Sequence, residues 1–270
     1  MLPFRAKLTD RIARTGSLLC VGLDPEAERI PAAFGEGTAA IRSFNQMVVE
    51  ATHDLVCAYK PNFAFYERFG PRGLEVLAET VQVIPDEVVT IADAKRGDIA
   101  NTAQGYAQAV FDVYGFDSVT VNPYMGLESL APFLEREGRG VWVLCRTSNP
   151  GAVEFQALPT ADGPSDEPLF MRVARSVAGV GAAATCGLVV GATDPRALEL
   201  VRAVAPDLPL LVPGIGPQGG DLTAAVRAHG SAPVVINASR SILFPEGTGP
   251  TQAAVREAAL RVRDRIQSLL

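Results

Sequence analysis

Eight short apolar runs recur along this chain, each ending in polar or glycine-rich residues and followed by a helix-like segment. They are Leu18–Asp24, Leu55–Asn62, the stretch opening at Val89, Ser118–Tyr124, Val141–Ser148, Cys186–Thr193, Leu208–Gly216 and Pro233–Ser241. Strands that are apolar throughout are buried on both faces, the condition of a parallel sheet covered by helices. The covering segments include an amphipathic start, a helix from about Thr38 to His53, one from Asp98 to Tyr114 and a last one from about Thr251 to Leu269. Eight such units in 270 residues predict an α/β fold, a (β/α)8 barrel of the TIM type, with residues 1–270 as one domain. A doubly wound sheet with extra strands is the competing arrangement.

Composition narrows the partners. The formal charge of −6 has no basic run to offset it, which argues against a nucleic-acid backbone while leaving room for a small anion in a local pocket. Cys20, Cys57, Cys145 and Cys186 each sit in an apolar run and form no C-x-x-C pair, so buried free thiols in a reducing compartment are expected. His53 and His229 are the only histidines and both read as helix C-terminal residues, leaving little for zinc or a Ser-His-Asp relay. The start lacks the features of a signal peptide and no apolar run approaches a membrane span, so a cytoplasmic location is expected. Asn149 to Glu167 reads as a polar loop and as the one stretch suggesting mobility.

Barrel enzymes gather their active sites at the C-terminal ends of the strands. Asp24, Lys60, Asn62, Asp93, Lys95, Asn122, Ser148, Gln218, Ser239 and Arg240 all fall there. The densest stretch is V-T-I-A-D-A-K-R-G-D-I-A-N-T, Val89 to Thr102. Strand alternation puts Asp93 and Lys95 on one side, about 6–7 Å apart along the backbone. Arg96-Gly97 then breaks the strand and Asp98 opens a helix. Charges so crowded are costly to desolvate unless they neutralise one another or hold a ligand. A solvated ion pair, with Asp98 as a simple helix N-cap, is the plainer alternative.

Phosphate-binding barrels hold their anion in the loops after strands seven and eight. Here the first is P-G-I-G-P-Q-G-G-D, Pro213 to Asp221, where glycines admit close backbone approach, Gln218 can donate, and a helix beginning near Asp221 adds its positive end. After strand eight, Arg240 offers a planar fork suited to phosphate oxygens. A flexible turn and a surface ion pair are the alternatives for these two features.

Taken in order, A-Y-K-P-N, D-A-K-R-G-D-I-A-N-T, R-T-S-N-P-G, P-G-I-G-P-Q-G-G-D and A-S-R-S-I-L resemble the orotidine 5'-monophosphate decarboxylase family over nearly the whole chain, most closely its bacterial subgroup with longer loops. The resemblance implies that Lys60, Asp93, Lys95 and Asp98 form the family's charged tetrad. It implies Asp24 as the ligand of the ribose hydroxyls, Ser148 as the reader of the pyrimidine ring, and Gln218 with Arg240 as the phosphate pair. It further implies a homodimer in which Asp98 and Thr102 reach the neighbour's site. Asn122 has no assigned counterpart, and Arg96 is expected on the outer side. The implied reaction removes CO2 from C6 of orotidine 5'-monophosphate (OMP) to give UMP, without metal or cofactor. Lys95 would stabilise and then protonate the C6 carbanion, Asp93 would sit near the departing carboxylate, and Lys60 and Asp98 would hold that pair in register.

Three rivals share parts of this pattern. Magnesium-dependent sugar-phosphate decarboxylases and aldolase-type synthases on the same barrel resemble this chain at D-x-K-x-x-D but tend to carry a metal-binding acid on strand two, where this chain has Lys60, which would repel a cation. A Schiff-base aldolase needs a deprotonated lysine, whereas the flanking carboxylates here stabilise ammonium. A nucleotide-binding protein without turnover would need no paired charges beside the base.

Overall fold

Each apolar run does become a strand. The computed structural model describes residues 3–161, 167–180, 186–216, 219–247 and 249–270. In it β1 (Leu19–Leu23), β2 (Ala58–Pro61), β3 (Val89–Arg96), β4 (Ser118–Val121), β5 (Gly140–Arg146), β6 (Cys186–Val190), β7 (Leu210–Val212) and β8 (Val234–Ala238) form a closed parallel barrel in chain order. The ring closes through Leu19↔Ile236, Cys20↔Asn237 and Val21↔Ala238. The doubly wound alternative is thereby excluded.

Strand parity sorts the side chains into two sets. Leu19, Val21, Val119, Val141, Val143, Leu188, Leu210 and Ile236 face the surrounding helices in the larger core cluster. Cys20, Ala58, Ile91, Trp142, Val189, Leu211 and Val235 form a second cluster inside the barrel. The helix Phe4–Thr15 closes the barrel floor by adding Phe4 and Leu8 to that inner cluster. Phe4 meets Trp142 edge-on with ring centres 5.6 Å apart. Glycine at 140 is what admits it, since a Cβ there would lie 2.5 Å from the Phe4 ring. Lys7 Nζ is bonded to Asp117 Oδ2 at 2.7 Å, and the same oxygen accepts from Thr90 N at 2.8 Å. With the floor filled, a ligand reaches the barrel axis only from the C-terminal ends of the strands.

The helices Gly37–Thr52 and Gln252–Gln267 match expectation to within two residues at each end. The one expected from Asp98 starts later, at Ala100, and its α-helical part ends at Gln108 before a wider turn over Ala109–Val113. Ile99 occupies the cap position and no side chain caps the helix, so Asp98 is not its N-cap. Asn149 to Glu167 is more ordered than a plain loop where it is described. It contains helical turns at Pro150–Ala152 and Val153–Gln156, and Gln156 folds back to accept from Thr147 N at 2.8 Å. Cys20, Cys57, Cys145 and Cys186 are all buried free thiols. His53 ends the helix before β2, and His229 Nδ1 accepts from Val234 N at 3.3 Å, so both histidines are structural. Among the described residues no helix is long and apolar enough to cross a membrane.

Candidate active site

The inner parity of the strands carries the site one layer above the floor. Two residues beyond inward-facing Ala58 stands Lys60, and two beyond Ile91 stands Asp93. By the same count Cys20 leads to Gly22 and Asp24, and Val235 to Asn237 and Ser239. Asp24, Lys60, Asn62, Asp93, Asn237, Ser239 and Arg240, with the Pro213–Ile215 turn, line a cavity of 180 Å³ at the top of the barrel. Gly22 keeps it open: a Cβ there would lie 2.9 Å from Ser239 Cβ and 3.2 Å from both Asn237 Oδ1 and Asp24 Oδ2.

Asp93 is buried and holds one ammonium on each oxygen. Lys60 Nζ donates to Oδ2 at 2.6 Å, and Lys95 Nζ to Oδ1 at 2.5 Å. The two lysines differ in exposure: the Lys60 side chain is 5% accessible and that of Lys95 is 49%. Lys95 is therefore the solvent-accessible member of the trio, standing beside Asp93 and not among the residues that line the cavity. Burial alone would push the Asp93 carboxyl up, but Lys60 and Lys95 outweigh it and hold Asp93 well below the usual carboxylate range. Burial would likewise lower Lys60, and the carboxylates of Asp93 and Asp24 override it, raising Lys60 above its ordinary value. The plain reading of Asp93 and Lys95 as a solvated ion pair fails at Asp93, which is buried, while Lys95 is half-exposed.

Simple alternation does not account for the meeting of Asp93 with Lys95. Ala92 pairs with Val119 and Arg96 with Val121, so the register of β3 against β4 shifts between them. Lys95 sits there at φ 47°, a left-handed conformation that costs a residue other than glycine on the order of 1–3 kcal/mol. The bulge, rather than a regular pleat, aims the lysine.

The cavity also holds polar atoms without partners. Asp24 Oδ1 and Ser239 Oγ are buried and have no hydrogen-bond partner among the described residues. Buried polar groups are almost always satisfied, so these two mark where ligand groups belong. The exposed Arg240 guanidinium makes no hydrogen bond or ion pair to any described residue. A carboxylate that can accept from hydroxyls, at the end of β1, thus lines the same cavity as a hydroxyl and a guanidinium that suit an anion, at the end of the neighbouring β8.

Other expected residues lie apart. Asp98 is half-buried and its Oδ1 accepts from Ile99 N at 2.8 Å; it does not join Lys60, Asp93 and Lys95 within the chain. Thr102 is exposed on the helix Ala100–Gln108. Ser148 follows β5 but is not among the residues lining the cavity, and its carbonyl accepts from Thr193 Oγ1 at 3.2 Å. Gln218 lies outside the described residues. The helix after β7, Leu222–Arg227, is capped by the Asp221 carboxylate, which accepts from Ala224 N at 3.0 Å. Asn122 caps its own turn, accepting from Tyr124 N at 3.0 Å. Arg96 is on the outer side as expected, bonded to Glu67 at 2.5 Å and lying over the rings of Phe63 and Tyr106. Sequence reading missed Asn237, which is buried with Oδ1 facing Cys20 Sγ at 3.6 Å. Its place two residues past Val235 in β8 was the available signal.

Residues 17–256 match the Orotidine 5'-phosphate decarboxylase / HUMPS family. The chain belongs to that family. It is 50% identical to the orotidine 5'-phosphate decarboxylase of Thermomicrobium roseum over 272 aligned positions, covering 99% of this chain and 96% of the relative. Against that of Herpetosiphon aurantiacus it is 47% identical over 260, covering 96% and 94%. Among solved structures it is similar to the OMP decarboxylase of Leishmania donovani, with a TM-score of 0.86, 38% identity and 99% of each chain covered. Membership in the decarboxylase family makes this chain an enzyme of the lyase class, belonging to pyrimidine biosynthesis.

Proposed function

We propose that this chain removes CO2 from C6 of OMP to give UMP, using fixed charge alone. The observation that carries the reading is Asp93 clamped between the buried Lys60 and the open Lys95, at a cavity that Arg240 also lines. The substrate phosphate would sit on Arg240, with Gln218 as its second ligand. Asp24 Oδ1 would accept from ribose hydroxyls and Ser148 would read the pyrimidine. That orientation brings the C6 carboxylate toward Asp93 and C6 toward the Lys95 ammonium. When the C–C bond breaks, its electron pair stays on C6, CO2 departs, and Lys95 first stabilises the carbanion and then delivers its proton. Lys60, kept charged by the two carboxylates, fixes the far oxygen of Asp93, so little reorganisation is needed as charge moves.

Within one chain Lys60, Asp93 and Lys95 sum to one positive charge. A further carboxylate would neutralise the cluster and lower its desolvation cost. The proposal therefore includes a homodimer in which Asp98 and Thr102 enter the neighbour's site. Two features support it: Asp98 bonds Ile99 N and forms no ion pair with its own Lys95 among the described residues, and exposed Ile99, Tyr124, Met125 and Phe155 follow the adjacent strands β3, β4 and β5. The buried, unpaired thiols favour the cytoplasm as its compartment.

The test is the ultraviolet absorbance of OMP incubated with the purified chain, with and without a chelator. The expected result is a loss of absorbance that the chelator leaves unchanged. A stable absorbance would remove the decarboxylase reading, and full inhibition by the chelator would favour a magnesium-dependent relative.

A further inference from the structure

The bulge that aims Lys95 is built around one hydroxyl. Between the pairs Ala92↔Val119 and Arg96↔Val121, the residues Asp93, Ala94 and Lys95 of β3 stand opposite Thr120 alone. Three residues against one leave the N–H groups of the longer side without ladder partners. Thr120 supplies them from its side chain. Its Oγ1 accepts from Ala94 N at 3.1 Å and from Lys95 N at 2.9 Å. Its single proton faces Asp93 Oδ1 at 3.2 Å, with Ala92 O more distant at 3.4 Å. A hydroxyl has one hydrogen and two lone pairs, so these contacts use its whole capacity. Asp93 Oδ1 is also the oxygen that receives Lys95 Nζ. Thr120 is buried, and no other described side chain bonds the Ala94 and Lys95 N–H groups.

We infer that Thr120 is a positioning residue for the decarboxylation, its hydroxyl holding Lys95 in the left-handed bulge and Asp93 at the angle where the lysine meets it. A regular strand at this point would have Lys95 in extended backbone and send its ammonium elsewhere. Such strained conformations persist only when their surroundings over-determine them; Phe63 N on Asp93 O and Asn122 N on Arg96 O pin the two ends of this bulge, and the Thr120 hydroxyl holds its middle. The inference rests on the assignment of Lys95 as the proton donor.

The experiment compares kcat and KM for OMP, and the affinity for UMP, in Thr120→Val, Thr120→Ser and Lys95→Ala. Valine keeps the shape without the hydroxyl, and serine keeps the hydroxyl. Misplacing a reacting group by about 1 Å costs on the order of a hundredfold, so Thr120→Val should lose about that factor in kcat. KM and UMP affinity should change less than about threefold, since the phosphate and ribose contacts are untouched. Thr120→Ser should stay within about fivefold of the parent, because it restores the same donor and acceptors. A valine variant with parental kcat, a serine variant as impaired as valine, or equal losses in kcat and UMP affinity would each overturn the inference. Should the valine variant not fold, Thr120→Cys, a weak donor and acceptor of nearly the same size, is read against serine by the same criteria. If Lys95→Ala itself keeps turnover, the proton-donor assignment fails and this inference with it. If Lys95→Ala is inactive while Thr120→Val is normal, only the role of Thr120 fails.

Discussion

A carboxylate with an ammonium on each oxygen gives up its charge only at a pH where a free aspartate is long protonated. Asp93 is held below its ordinary value, so its contribution to stability is complete above about pH 4, the unfolded value, and is lost as pH falls through the lower folded one. For Lys60, whose value is raised, the contribution is complete below about pH 10 and is lost as pH climbs through the folded value. Replacing Asp93 by Asn leaves the Lys60 ammonium buried without its nearest anion. Urea unfolding at pH 7 should show Asp93→Asn less stable by about 3 kcal/mol, the usual cost of breaking a buried pair from one side. The gap should narrow below about pH 4 as the parent's carboxylate protonates. A gap under about 1 kcal/mol at pH 7 would mean the pair behaves as a solvent-screened one. Lys60 and Asp93 were legible in the sequence as charges at the C-terminal ends of apolar runs, and in the structure each stands two residues past an inward apolar residue. Asn237 obeys the same parity but was passed over, since one amide in a run of valine and isoleucine carries no charge to draw notice.

At the scale of elements, apolar runs predicted the strands well because parallel strands buried on both faces need continuous hydrophobicity. The bulge in β3 was not legible. It depends on Thr120, which is local to β4 and meets β3 only after the sheet forms. Likewise Asp98 has the composition of a helix cap, yet Ala100 at φ 45° delays the helix and frees the carboxylate from that role. The turns after β5 escaped notice because they are short and held by Gln156, which folds back to Thr147 at the end of β5. In β1 the decisive position is Gly22, whose missing side chain is part of the cavity. Gly22→Ala should raise KM for OMP on the order of tenfold, the effect of one methyl group in a fitted pocket, with a smaller change in kcat. An unchanged KM in steady-state assays would place the substrate away from Asp24 and Ser239.

At the scale of the whole molecule, the helix Phe4–Thr15 shuts one end of the barrel and leaves the charged end open. The barrel itself was readable from the count of eight units. The proposed shared site was not readable from spacing; it rests on the family resemblance and on Asp98 forming no ion pair with its own Lys95 among the described residues. Mixing inactive Lys95→Ala and Asp98→Asn chains should therefore restore activity, up to about a quarter of the parental value, because half the random dimers are hybrids and each has one intact site. No recovery after subunit exchange would confine the site to a single chain. The central claim is narrower than the assembly: Lys95 carries the chemistry and Arg240 with Asp24 carries the binding. Single-turnover decarboxylation by Lys95→Ala, measured beside its affinity for UMP, tests that division most directly. A rate reduced by at least about ten-thousandfold with UMP still bound is the predicted result. Near-parental decarboxylation by Lys95→Ala would contradict it.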